Sequence, residues 1–258
     1  MHYYKSIEEI MQSSIASFQM LIKFGNKANL ESFQRGTVYM KNIKYFNMLE
    51  QRDDSGKPDK NDGKWAVKDF SFTFFDSETN KPVFQGKAGS AVLSFGYEKY
   101  PIFCMFSFDY RNCGEYINDE ENHMCTIPLS FTEEQKQKVK KGLGEYALAI
   151  TNTNEFINRL KAALEKDHYT YRFDRVKYNP GNSIDRVQSV QRNFESIVFN
   201  KESDFAYQQE WRLFVTNKEV EDHLCVDIGD ISDITVLVET DALVNNYKIK
   251  LTQHYYPV

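Results

Sequence analysis

The stretch FAYQQEWRLFV, residues 205–215, sets side chains with chemical capacity inside an otherwise apolar run. Gln208 and Glu210 stand two residues apart, and Arg212 stands two beyond. On an extended strand, residues i and i+2 point to one face, so the amide and the carboxylate can address a single ligand. That pair suits a sugar hydroxyl and a positive charge developing on an adjacent carbon. The same spacing also lets Glu210 and Arg212 satisfy each other, as polar groups inside a core strand must. By spacing alone the pattern favours the ion pair, since polar strand faces are common.

Other chemistry is thinly signalled. GxxxxGK[ST], GxGxxG, GxSxG and HExxH do not occur, which removes support for P-loop, dinucleotide-binding, hydrolase-elbow and zincin readings. Cys104, Cys113, Cys125 and Cys225 form no CxxC pair and have no histidine at zinc-ligand spacing, so no metal site is expected and reduced thiols are. The five histidines are scattered along the chain. The basic helix end KQKVKKG reads as a solvated face. The run YTYRFDRVKY mixes Arg172 and Lys177 with three tyrosines, a composition found on single-strand-binding surfaces and on half-buried sheets alike.

The bulk numbers describe what must position these groups. The chain has 258 residues, 41% hydrophobic and 27% charged, ordinary for a globular protein. Twenty Phe and sixteen Tyr favour strands and an aromatic core. A net charge of −5 argues against nonspecific coating of nucleic acid. No export signal and no run of ~20 apolar residues is seen, so a cytoplasmic protein is expected. The length fits one domain over 1–258, with an N-terminal helix within 1–19 and the core over 20–258.

Periodicity predicts strands at MLIKF, TVYMKNIKYF, KDFSFTFFD, KPVFQG, SAVLSFGY, IFCMFSFDY, YALAIT, YTYRFDRVKY, FAYQQEWRLFV, CVDI, ITVLVE and KIKLTQHYY. Helices are expected over 6–18, in NKANLESFQRG closed by Gly36, in SFTEEQKQKVKKGL, in NTNEFINRLKAALEKD and over 185–199. Residues 50–64 read as a solvated loop. Many strands with few helices and no strict βαβ alternation predict an α+β domain: a central mixed, mostly antiparallel sheet flanked by helices.

Several segments match, in order, a wider pattern. MLIKFGNKANLESFQRGTVYMKNIKYFNMLEQRDD, IFCMFSFDY, YALAITNTNEFINRL and YQQEWRLFV together resemble a widespread bacterial domain family found beside defence genes. That family is similar in turn to the ADP-ribosyltransferase fold of DNA- or RNA-modifying toxins. The resemblance implies NAD as cofactor, with Glu210 on the ribose 2′-hydroxyl and Gln208 orienting the acceptor. It implies Ser107 on the middle strand and Lys23 where the family carries Arg or His. Tyr39, Tyr45 or Phe46 would stack on nicotinamide, and Arg52 would hold the pyrophosphate. An RNA or DNA acceptor and an antitoxin partner would follow. A non-catalytic binding, sensor or interaction module of the same fold, favoured by Lys23, and a ribonuclease-type toxin stay open beside this reading.

Overall fold

The computed structural model describes residues 19–49, 61–109, 117–119, 121 and 124–252. The helix expected over 6–18, most of the polar loop at 50–64, and Arg52 lie outside the described residues.

The chain enters on β1 (Gln19–Gly25), and Asn26 then caps α1 (Lys27–Gln34) by accepting the amide of Asn29. Gly36, at φ +108, closes this helix as expected, because a Cβ there would meet the Gly229 carbonyl at 2.4 Å. Strand β2 (Thr37–Asn42) is shorter than its apolar run implied, since Asn42 accepts the Tyr45 amide and starts α2 (Ile43–Leu49). A hairpin follows from β3 (Lys64–Phe75) and β4 (Pro82–Ser94); the second is one strand where the sequence pattern predicts two. Then come β5 (Pro101–Asp109), β6 (Ile117–Asp119) and β7 (Met124–Pro128). A reciprocal Thr132–Gln135 capping box opens α3 (Glu133–Gly142), which leads to β8 (Tyr146–Ile150) and to α4 (Thr153–Lys166), capped by Asn152. Strands β9 (Tyr171–Arg175) and β10 (Lys177–Tyr178) precede α5 (Ile184–Arg192) and a 3₁₀ turn at Phe194–Phe199. The chain closes with β11 (Asn200–Lys201), a second 3₁₀ turn (Ser203–Gln208), β12 (Glu210–Val215), β13 (His223–Asp227), β14 (Thr235–Glu239), α6 (Thr240–Asn246) and β15 (Lys248–Thr252).

Eight strands form one sheet in the order β13-β2-β5-β1-β8-β14, with β12 added to β5 and β9 to β12. Every pairing in it is antiparallel. The described parallel pair, β10 with β11, lies outside that sheet. The fold is thus α+β with a mostly antiparallel sheet, as expected. Two further expectations need correcting. The final strand β15 pairs with β7 in a separate three-stranded sheet instead of completing the main one. The helix α6 was not foreseen, because TDALVNN is too short to display a 3.6-residue period.

Alternation along β5 sends Phe103 and Met105 to one face and Ile102, Cys104, Phe106 and Phe108 to the other. On the first face, Leu30 and Phe33 of α1 and Phe156, Leu160 and Leu164 of α4 pack on Leu21, Leu148, Trp211 and Leu213. Burial of each such side chain contributes roughly 1.5–3 kcal/mol. The second face holds two separate clusters. One joins Met20, Ile22, Phe106 and Phe108 to Leu129, Phe131, Val139 and Leu243. The other joins Ile102 and Phe214 to Ile43, Val190, Ile197 and Phe199.

Candidate functional site

The gap between those two clusters is where the charged residues sit. On β12, Glu210 lies opposite Phe106, Arg212 opposite Cys104 and Phe214 opposite Ile102. Glu210 and Arg212 therefore share the second face, while Trp211 points to the first and is buried there. The predicted continuous strand over 205–215 does not form. Residues 203–208 make a 3₁₀ turn, Gln209 takes a left-handed conformation at φ 41, and the strand begins only at Glu210. Gln208 nevertheless meets Glu210 through a third residue. The Lys201 ammonium donates to Gln208 Oε1 and to Glu210 Oε1, both at 2.8 Å.

Four ionic groups close into a quartet. Arg212 donates Nε to Glu210 Oε2 at 2.7 Å and its two terminal nitrogens to Asp62 Oδ1 and Oδ2, each at 2.7 Å. Its Nη1 also bonds the Val198 carbonyl at 2.7 Å. Lys201 completes the ring with Asp62 Oδ2 at 3.5 Å. Two carboxylates face two cations, so the cluster is neutral as a unit. The side chains of Asp62, Arg212 and Lys201 are 1–2% exposed, and that of Glu210 is 12% exposed, the one member that water reaches. Burial of this kind is tolerable because each charge is paired and multiply hydrogen-bonded.

Proton affinities follow from this arrangement. Burial alone would raise the Glu210 carboxyl, but Arg212 and then Lys201 outweigh it and hold the group well below its ordinary value. Asp62 is depressed by the same balance, and Arg212 is raised well above its own. Next to the quartet, burial and the Glu210 charge push the Cys104 thiol up to about 12. Burial, with Glu210 adding to it, also raises Tyr178, whose hydroxyl accepts the Glu210 amide at 2.8 Å.

Of the other sequence-predicted site residues that are described, Lys23 feels the Glu210 charge, while Ser107, Tyr39, Tyr45 and Phe46 are placed elsewhere. The Ser107 amide donates to the Gln209 carbonyl at 2.7 Å. Strand alternation, however, puts the Ser107 side chain on the first face, opposite to that of Glu210. Lys23 marks a split in the sheet. Strand β1 pairs with β5 only as far as Ile22 opposite Phe106, then follows β8. Strand β2 meets β5 at Ile102 and Pro101. Because Ser107 bonds toward β12, the Cys104 carbonyl, an odd number of residues away, faces the other edge. There the Lys23 ammonium donates to it at 2.6 Å, above the Phe103 ring at 4.5 Å. Burial lowers the Lys23 proton affinity, against the pull of Cys104 and Glu210. Tyr39 and Tyr45 are exposed around Lys41, with Tyr39 stacked on His223 at 4.7 Å, and Lys41 also pairs with Asp222. Phe46 packs on the third apolar cluster.

Sequence reasoning missed Lys201 and Asp62. Lys201 follows the apolar SIVFN and was open to notice as a cation at the end of a buried run. Asp62 had no distinguishing signal among the acids of its polar loop. Two surface depressions, of about 330 and 370 Å³, flank α6 and are not lined by Glu210, Gln208 or Ser107. Among the described residues, no three His, Cys, Asp or Glu side chains are placed to hold a metal ion, and no helix is long and apolar enough to cross a membrane. Compared with protein-family models, with curated proteins and with solved structures, the chain finds no match.

Proposed function

We propose that the chain acts by binding and not by group transfer, as a non-catalytic ligand-binding or interaction module. The observation that carries this reading is the occupancy of Glu210: Lys201 holds one carboxylate oxygen and Arg212 the other. Transfer of ADP-ribose would need a carboxylate free to bond the ribose and to face a developing positive charge. Inside a neutral quartet, the field that Glu210 offers a ligand is largely cancelled. The orientation of Ser107 away from this face supports the same reading. Incubation with NAD and with DNA, RNA or protein acceptors should release no nicotinamide. Release that is lost in Glu210→Gln, with the circular dichroism spectrum unchanged, would overturn it.

A second reading is an NAD-dependent ADP-ribosyltransferase acting on RNA or DNA, a toxin held in check by an antitoxin in the cytoplasm. One arrangement favours it: Gln208 and Glu210 meet at a single ammonium, and the ionised Glu210 is the member of the quartet open to water. Here Lys201 would yield its bond when substrate arrives. The Glu210→Gln comparison decides between the two readings. RNA shortened without NAD would point instead to a ribonuclease.

A further inference from the structure

Past Lys68, the β3–β4 hairpin leaves the body with an apolar face that no described element covers. Phe70, Phe72 and Phe74 of β3 stand opposite Ala88, Gly86 and Phe84 of β4. The rings touch in series: Phe70 to Phe72 at 6.1 Å, Phe72 to Phe74 at 5.7 Å, and Phe84 to both Phe72 and Phe74 at 5.9 and 6.3 Å. Gly86 makes this possible, because a Cβ there would come within 2.6 Å of the Phe72 ring. The outer rings are open, Phe74 at 62% and Phe84 at 56% exposure.

The base of the arm is fixed. Trp65 Nε1 donates to the Gly181 carbonyl at 2.8 Å, and the Asn182 amide bonds both the N–H and the carbonyl of Lys68, as a neighbouring strand would. Asp69 then turns the chain at φ 50, and the ribbon continues alone. A two-stranded ribbon is marginal in water, and a contiguous run of exposed rings marks an interface.

Charge and area select the occupant. From Lys68 to Ser90 the ribbon carries Lys68, Lys81 and Lys87 against Asp69, Asp76 and Glu78. Neutral as a whole, it has no field to draw in nucleic acid or an anionic membrane. Its ends differ: Asp76, Glu78 and Lys81 leave the turn net negative, and Lys68, Asp69 and Lys87 leave the base net positive. Two ribbons laid antiparallel would set each turn against the other's base. We propose that this aromatic face packs against the same face of a second copy about a two-fold axis, giving a weak, reversible dimer. With about 200 Å² on a fully exposed phenylalanine, Phe74 and Phe84 alone offer roughly 240 Å² per copy. Even with Phe70 and Phe72 added, that stays under the roughly 1,200 Å² total of stable interfaces, hence a reversible contact. The proposal does not rest on any reading of the Glu210 site.

Sedimentation equilibrium tests it on the full chain. The mass should move from one chain toward two as the concentration rises from about 1 to about 200 µM, as for a weak, transient contact. Phe74→Ser/Phe84→Ser should hold it at one chain with an unchanged circular dichroism spectrum. Gln85→Ser, paired with Thr73 on the opposite face of the ribbon, should leave the dimer intact. A chain that stays monomeric throughout overturns the proposal, and so does a dimer indifferent to Phe74→Ser/Phe84→Ser. A monomer that sediments with phosphatidylcholine vesicles through these rings also overturns it, and assigns the face to lipid.

Discussion

The ionic quartet and the hairpin arm reverse the usual distribution of side chains. Asp62, Arg212 and Lys201 are almost wholly enclosed, while Phe74 and Phe84 stand more than half in solvent. Residue type therefore does not settle burial. The charges go inside because three separate chain segments bring opposite partners within hydrogen-bonding distance. The rings stay outside because the ribbon runs past the point where Asn182 ends its attachment to the body. One region is stabilised by completeness, and the other is left incomplete by the chain that makes it.

The sharpest way to break that contrast is to remove one of the two cations that both carboxylates share. Arg212→Met leaves Asp62 and Glu210 with Lys201 alone, and should lower unfolding free energy by about 3–5 kcal/mol, read as a shift in urea midpoint. A loss under about 1 kcal/mol would mean that the quartet is held together by its surroundings.

Acid provides a graded version of the same test. Glu210 and Asp62 have folded-state proton affinities below their ordinary values of 4.5 and 3.8. Their contribution is complete above those values and is lost as the pH falls toward the depressed ones. Thermal melts between about pH 5 and about pH 2 should show this loss, and Glu210→Gln should flatten the curve by removing one of the two titrations. An unchanged slope would take Glu210 out of the linkage.

Thiol reactivity probes the enclosure from the neighbouring position. With its thiol raised to about 12, the half-buried Cys104 should resist iodoacetamide at pH 8 until urea is added, while the exposed Cys225 reacts in the native state. Peptide mapping by mass spectrometry separates the two. Early labelling of Cys104 would mean that the sheet opens beside the quartet. The smallest effect belongs to the arm: at dilutions where the chain is monomeric, Phe74→Ser/Phe84→Ser should change stability by no more than about 0.5 kcal/mol.

Much of the fold was legible because it is written in short-range terms. The Asn26 and Asn152 caps, the Thr132 capping box, Gly36 and the strand alternation of β1, β5 and β8 all act within a few residues. What escaped was tertiary. Asn42 stops a strand that its own apolar run would continue, because its side chain takes up the Tyr45 amide and reaches the Val220 and Glu221 carbonyls. Gln209 breaks the stretch ahead of Glu210 with one left-handed residue, which no propensity required. At the site, the Glu210–Arg212 pair was visible as a spacing, and Gln208 does meet Glu210, though through Lys201. Asp62 was not visible at all, since its partner lies 150 residues further along the chain.

That separation also bears on the order in which the molecule assembles. Strand β5 takes partners from residues 19–22, 41–42 and 210–214, so the sheet cannot be completed until β12 has left the ribosome. Contacts this distant along the chain slow folding, because a long loop must close before they form. Until then Asp62 keeps its hydration shell and is stable without a partner, so a half-made chain gains nothing by enclosing it. The arrival of Arg212 makes enclosure favourable, so the quartet closes only once β12 is in place.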